Sequence, residues 1–93
     1  MPILNVKEAV DKAISIFRDI VDVRNVTELR LEEVELSEDG KYWLITLGYD
    51  RAKPGDPFAG LLGSAKREFI REYRVLKISS STGELLSMKI REE

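Results

Sequence analysis

The N-terminal part of the chain follows a helical pattern. Apolar residues recur at steps of three and four from Val6 to Val21, and charged residues occupy the opposite side. Asn5, with Glu8 three residues later, is typical of a capping box at the start of a helix. The pattern therefore predicts one amphipathic helix over about residues 5–22.

Beyond residue 26 the hydrophobic period changes to two, which predicts β-strands. Leu29 and Leu31 fall in one phase of the first strand, whereas Val34 and Leu36 fall in the other. Because a shift of one residue reverses every side chain, a bulge near residues 32–33 is needed to keep all four on one face. Four strands are predicted, over about residues 27–37, 41–50, 67–79 and 84–91.

Short turns connect most of these strands. Asp39-Gly40 is a strong hairpin signal, and the run from Ser79 to Gly83 turns the chain a second time. Short connections favour antiparallel neighbours, and a single helix can cover only one face of a sheet. The predicted fold class is α+β: one N-terminal amphipathic helix packed on a four-stranded antiparallel meander sheet, forming a single domain over residues 1–93.

A long loop is predicted between the second and third strands, over about residues 51–65. It contains two prolines and three glycines, which preclude a regular strand. The loop also carries three large apolar residues, Phe58, Leu61 and Leu62. Loops of this length in compact domains are usually functional or disordered.

Composition excludes several kinds of chemistry. The 93 residues include no cysteine and no histidine, which removes disulfides, thiol nucleophiles, Cys/His zinc sites and imidazole acid–base catalysis. The formal net charge of −2 argues against general binding to nucleic acids or anionic membranes, and no segment is apolar enough to span a membrane. We therefore expect no enzymatic activity, no catalytic or metal-binding residues and no cofactor.

Charged residues are distributed unevenly along the strands. Four glutamates lie on the first strand and several basic residues on the third: Glu28, Glu32, Glu33 and Glu35, and Arg71, Arg74 and Lys77. The glutamates lack the spacing of a calcium-binding loop, and charged residues on an edge strand commonly prevent association between sheet edges. The simplest interpretation is ion pairing between neighbouring strands.

More apolar residues are present than one helix can cover. The candidate partner-binding residues are Tyr42, Leu44, Phe58, Leu61, Leu62, Phe69, Arg71 and Tyr73. In one interpretation the long loop folds back over the far side of the sheet. In the other, that side binds a protein partner or a second copy of the chain, with Arg71 and Arg74 setting the register.

The second interpretation predicts a non-enzymatic protein-interaction module that can form homodimers. The alternative is a carrier or sensor of a small apolar ligand, with the 51–65 loop acting as a lid.

The order of elements resembles the PepSY and PepSY-like domain family. The similarity rests on the Ala- and Val-bearing helix, the aromatic strand after the turn in segment 39–45, the strand 73–78 and the Thr-Gly-acidic-apolar segment 81–86. Where that family often has an aspartate before the last turn, this chain has Ser80. The resemblance implies a cystatin-like α+β shape and a regulatory or inhibitory domain that binds protein partners, without shared catalytic residues.

The N-terminus shows no basic region followed by an apolar stretch. If Met1 is the natural start, the expected location is the cytoplasm; if the chain was trimmed from a precursor, it is an exported protein.

Overall fold

The computed structural model describes residues 3–52 and 69–91 and confirms the predicted fold class. The elements are α1 (Val6–Ile20), a short 3-10 helix (Val23–Asn25), β1 (Val26–Leu36), β2 (Tyr42–Ala52), β3 (Phe69–Ser79) and β4 (Leu85–Arg91). The four strands form one antiparallel sheet in the order β1-β2-β3-β4. Within this part of the chain, no helix is long and apolar enough to cross a membrane.

The helix α1 begins at the predicted capping box. The Asn5 side chain accepts a hydrogen bond from the Glu8 backbone at 2.8 Å, and the Glu8 carboxylate accepts one from the Asn5 backbone at 2.9 Å. The helix ends at Ile20, two residues earlier than predicted, because Val21 has an extended backbone with φ −91° and ψ 138°. Asp22 then caps the 3-10 helix, which the sequence pattern had not distinguished from α1.

The core lies between α1 and one face of the sheet. Two alanines, Ala9 and Ala13, let the helix approach the strands closely, and Phe17 fills the space at the far end. The Phe17 and Tyr49 rings are 5.0 Å apart at an interplanar angle of 52°, a tilted contact. The other fully buried apolar side chains come from the two central strands: Ile45, Leu47, Leu76 and Ile78.

The predicted bulge in β1 is confirmed at Glu32. Leu31 pairs with Leu47 and Glu33 pairs with Thr46, so Glu32 is the extra residue. Apolar residues on both sides of the bulge therefore pack against the helix-side core, namely Leu29 and Val34.

A second bulge lies closer to the start of β1 and was not predicted. Thr27 pairs with Asp50 and Arg30 pairs with Gly48, so β1 again has one residue more than its partner. Within this bulge Glu28 has a φ of 56°, in the left-handed region.

The strand β2 extends beyond its predicted end at residue 50. Arg51 pairs with Ile70 and Ala52 pairs with Phe69, so the antiparallel ladder continues for two residues that were expected to begin the long loop. The rest of that predicted loop, residues 53–65, lies outside the described residues.

Both predicted turns contain a glycine that requires a positive φ. Gly40 has a φ of 72° and Gly83 a φ of 77°, values that L side chains rarely adopt. The turns lie at the same end of the sheet and are joined by Ser80, whose hydroxyl donates to the Gly40 carbonyl at 2.6 Å. The segment before α1 is attached there as well, since the Trp43 indole donates to the Leu4 carbonyl at 3.0 Å.

Candidate protein-binding face

We call the side of the sheet opposite α1 the outer face. Because side chains alternate along a strand, the residues between the core positions of β2 and β3 point to this face. Five candidate partner-binding residues therefore lie on it together: Tyr42, Leu44, Phe69, Arg71 and Tyr73. The remaining three candidates, Phe58, Leu61 and Leu62, lie outside the described residues.

An ion network lies at the end of the outer face where β2 ends and β3 begins. The Arg71 guanidinium contacts the Glu32 carboxylate at 2.5 Å and the Asp50 carboxylate at 3.3 Å. The same guanidinium donates to the backbone carbonyl of Glu28 at 3.1 Å. Arg71 thus joins both bulges of β1 to strands β2 and β3, and both of its terminal nitrogens donate within the chain.

Gly48 provides the space for this network. A Cβ atom at Gly48 would lie 2.6 Å from Glu32 Oε1 and 2.8 Å from Arg71 Nη2, closer than such atoms approach. A side chain at this position would therefore displace the Glu32–Arg71 pair from the sheet. Glycine inside a strand commonly marks such a close approach.

The surroundings of Arg71 keep it charged. Partial burial by itself would lower the pKa of the guanidinium, but hydrogen bonds with Glu32, Asp50 and Tyr73 outweigh burial and raise the pKa above its ordinary value. This arginine has the geometry of a structural cation that positions neighbouring side chains.

The tyrosines of the outer face lie beside basic groups. The Tyr73 ring lies between the guanidinium carbons of Arg71, at 5.8 Å, and Arg91, at 5.3 Å from its centroid. Lys77 Nζ is 4.0 Å from the centroid of the Tyr42 ring. Such contacts are attractive because the face of an aromatic ring carries a partial negative charge.

The ion pair of Arg91 links the two edge strands of the sheet. Arg91 extends from β4 to the Glu33 carboxylate on β1, where Nη1 and Oε1 are 3.2 Å apart. Tyr42, Leu44 and Tyr73 are half-buried, and basic side chains from neighbouring strands lie over the two tyrosine rings. Phe69 is more open, with 48% of its surface exposed.

Charge on the outer face is divided between its two margins. In the cross-strand register, Glu35 of β1 is beside Leu44, and Lys89 of β4 is beside Val75. The two apolar residues are half-buried, whereas the two charged ones are exposed. The arrangement is an apolar centre between an acidic and a basic margin. Sequence reasoning named Glu35 among the glutamates of the first strand but selected neither Glu35 nor Lys89 as a binding residue, although strand alternation and the bulge at Glu32 indicate their side of the sheet.

Three of the four β1 glutamates form ion pairs, but not between neighbouring strands as the sequence predicted: one pair lies within β1 and the others reach β3 and β4. Three of them contact arginines: Glu28 contacts Arg30 at 3.1 Å, Glu32 contacts Arg71 at 2.5 Å, and Glu33 contacts Arg91 at 3.2 Å. In the described ranges, 3–52 and 69–91, no group of acidic side chains could hold a metal ion.

Arg74 lies on the opposite side of the sheet from Arg71, which corrects the expectation that both orient one partner. It pairs with Leu47 in the β2–β3 ladder, and its Nε donates to the Tyr49 hydroxyl at 3.1 Å. Period-two alternation places residues 71 and 74 on different faces. Arg74 therefore supports the polar end of the helix-side core, where the Tyr49 hydroxyl also contacts Glu72 at 3.4 Å.

A groove of about 510 Å³ lies at the end of β3, beside the last residue of β4. Its lining includes Arg51, Arg71 and Arg91 together with Ile70 and Ile90. Sites for small apolar ligands are lined mainly by apolar side chains, so three arginines make this groove an unfavourable lipid site.

Comparison with known proteins does not add to this description. No protein-family model, no curated protein and no solved structure matches the chain. The resemblance to PepSY domains therefore stays a prediction.

Proposed function

We propose that this domain is a non-enzymatic protein-interaction module and that the outer face is its binding surface. The observation that carries the proposal is that Tyr42, Leu44, Phe69 and Tyr73 all lie on the side of the sheet opposite α1. Aromatic residues and arginines are enriched at protein interfaces relative to the rest of a protein surface.

The mixture of apolar and charged groups supports a reversible interaction. Leu44 and Val75 are half-buried at the centre, and charged residues occupy the margins on β1 and β4. A non-obligate interface has about the same apolar fraction as ordinary protein surface, with a polar rim around its buried centre. The outer face has this composition.

The charged groups of the ion network have structural partners instead of catalytic geometry. Glu32 and Asp50 both bind Arg71, and Glu33 binds Arg91. A general base or nucleophile needs an activated group directed at a substrate position. The resemblance to PepSY domains is compatible with the same proposal, because it implies a regulatory or inhibitory domain that binds proteins.

Site-specific photo-crosslinking tests the proposed surface. A benzophenone amino acid replaces Leu44 on the outer face or Ser15, an exposed residue of α1, and the cells that make the protein are irradiated. We expect a covalent protein adduct from position 44 and little from position 15. Mass spectrometry of the adduct identifies whether the bound chain is the same protein or another one.

The position 15 variant is the matched control, since both variants carry the same probe. Circular dichroism of each purified variant verifies that the fold is retained. If position 44 forms no adduct, or if both positions crosslink equally, the outer face is not the binding surface.

A further inference from the structure

We infer that the outer face binds a second copy of the same chain, with the two sheets packed face to face about a two-fold axis parallel to the strands. This inference rests on the proposed function and specifies its partner. It follows from the distribution of charge across the sheet and from the apolar residues between the charged margins.

In two rows of the outer face the charge changes sign from β1 to the β3–β4 margin. In one cross-strand row, Glu35 on β1 is followed by Leu44 on β2 and Lys77 on β3. In the next row, Glu33 is followed by Thr46, Val75 and Lys89. The row of Gly48 differs, because an arginine lies at each of its margins, Arg30 on β1 and Arg91 on β4.

A two-fold axis parallel to the strands makes the charges of the Glu35 and Glu33 rows complementary to those of a second copy. Such an axis reverses the order of the strands, so β1 of one copy lies over β4 of the other. Each cross-strand row keeps its position along the strands and therefore faces the same row of the second copy. Glu35 then lies near Lys77 and Lys89 of the second copy, and the symmetry repeats the contact. A two-fold axis across the strands would instead place β1 over β1, with like charges opposed.

The two charges required at the margins are exposed. Within residues 3–52 and 69–91, neither Glu35 nor Lys89 forms an ion pair with another residue. Glu33, in contrast, is already paired with Arg91 in its own chain. A second copy would therefore supply opposite charges to Glu35 and Lys89 without breaking the ion network around Arg71.

The apolar centre of the face fits the same arrangement. Leu44 and Val75 lie in adjacent rows on the two central strands and are half-buried in the monomer. Packed sheets are about 10 Å apart, with side chains of the two inner faces interdigitating. Both residues of each copy would lie between the sheets, where their remaining exposed surface is removed from water.

The size of the face predicts a weak dimer. Four strands about 4.8 Å apart, over about 25 Å of strand length, present roughly 500 Å² per copy. The total of about 1,000 Å² is below the range of standard stable interfaces and typical of transient complexes. We therefore expect dissociation in the micromolar range or weaker.

Sedimentation equilibrium with charge-reversal variants tests the inference. The wild-type protein is measured from roughly 10 μM to 1 mM, and we expect a reversible monomer–dimer equilibrium. Glu35→Lys and Lys89→Glu should each weaken dimerisation roughly tenfold, because each replaces the Glu35–Lys89 attraction by a repulsion at two places in a symmetric dimer. Glu35→Lys should have the larger effect, since it also reverses the contact with Lys77. The double variant restores opposite charges at positions 35 and 89, so it should dimerise more tightly than Glu35→Lys alone.

Asp19→Lys is the matched control, because it makes the same change of charge on an exposed position of α1. It should leave the equilibrium unchanged. Leu44→Glu is a second, independent variant that places a carboxylate in the apolar centre and should abolish dimerisation, with circular dichroism verifying the fold.

Three results would overturn the inference: a monomer at all concentrations, a dimer insensitive to Glu35→Lys and Lys89→Glu, or a double variant that dimerises no more tightly than Glu35→Lys alone. If the purified protein is monomeric while position 44 crosslinks to a different protein, self-association is wrong and the proposed binding surface stands. If the protein dimerises with the expected charge dependence but position 44 forms no adduct in cells, the dimer stands in solution, whereas the proposed function of the outer face as a binding surface in cells is wrong.

Discussion

Glu28 combines an unfavourable backbone conformation with a position beside the ion network. Among the described residues other than glycine, it alone has a positive φ, at 56°. The left-handed region costs a residue with a Cβ atom roughly 1–2 kcal/mol. The bulge that contains Glu28 presents its carbonyl to Arg71 at 3.1 Å, so the backbone conformation is coupled to the position of that arginine.

Replacing Glu28 by glycine should stabilise the domain. Glu28→Gly removes the Cβ penalty, and the greater freedom of glycine in the unfolded chain offsets part of the gain. We expect the free energy of unfolding to rise by about 0.5–1 kcal/mol, measured by urea denaturation. Glu28→Ala is the control, since it removes the exposed contact with Arg30 without relieving the backbone. Equal stability of the two variants would contradict a strained φ at this residue.

Asp22 is held in its ionised form by its neighbour Arg24. The Arg24 side chain donates to the Asp22 carboxylate at 2.9 and 2.8 Å, and its backbone N–H donates at 3.1 Å. These hydrogen bonds lower the pKa of Asp22 from 3.8 to about 2. Because the pKa is lower in the folded state, the contribution of Asp22 to stability is present above pH 3.8 and is lost as the pH falls towards 2.

An NMR titration of the side-chain carboxyl carbons tests this assignment. The Asp22 signal should have its midpoint near 2 in the wild type, and Arg24→Ala should move it towards 3.8. Arg30→Ala removes another exposed arginine two residues from its own acidic partner, and it should leave the Asp22 midpoint unchanged. A wild-type midpoint near 3.8 would show that the contact with Arg24 does not persist in solution.

The two hairpins of the sheet are joined where their turns meet. Ser80 lies in the β3–β4 turn with 3% of its surface exposed, and its hydroxyl donates to the Gly40 carbonyl in the β1–β2 turn. Its backbone N–H donates to the Lys41 carbonyl at 3.0 Å, and its own carbonyl accepts from the Leu4 backbone N–H at 2.8 Å. One residue thus connects both turns and the segment before α1.

Substitutions at Ser80 should show whether the Gly40 carbonyl requires a hydrogen-bond donor at this position. Ser80→Ala leaves the Gly40 carbonyl without its donor and should lower the free energy of unfolding by about 1–2 kcal/mol. Ser80→Asp should cost more at neutral pH, because a largely buried carboxylate would face a carbonyl oxygen. Thermal denaturation of both variants is the measurement, with the exposed Ser81→Ala as control, for which a change within about 0.5 kcal/mol is expected. A Ser80→Asp variant as stable as wild type would show that this site accepts the acidic residue expected from PepSY-like domains.

Across the whole molecule, the two faces of the sheet have different roles. The helix side carries the apolar core, whereas the outer face carries ion pairs that join distant strands, including Glu33 on β1 and Arg91 on β4. These ion pairs leave Glu35 and Lys89 at opposite margins without a described ionic partner. The proposed self-association depends on that division of charge.

Much of the fold could be predicted because its signals are local. The helix follows from three- and four-residue spacing after Asn5, the strands from period-two alternation, and the bulge at Glu32 from a change of phase in β1. The bulge at Glu28 could not be predicted, since a glutamate carries no signal for a left-handed backbone. The continuation of β2 to Ala52 depends on its pairing with Phe69, a residue seventeen positions away.

The candidate surface could also be predicted only in part from the sequence. Alternation alone places Tyr42, Leu44 and Tyr73 on one side of the sheet, because successive side chains of any strand point in opposite directions. Whether those rings meet solvent, a cation or a carboxylate depends on which residues of other strands lie beside them. Lys77 reaches Tyr42, and Arg91 crosses Tyr73 to reach Glu33, only because the register of four strands brings together side chains far apart along the chain.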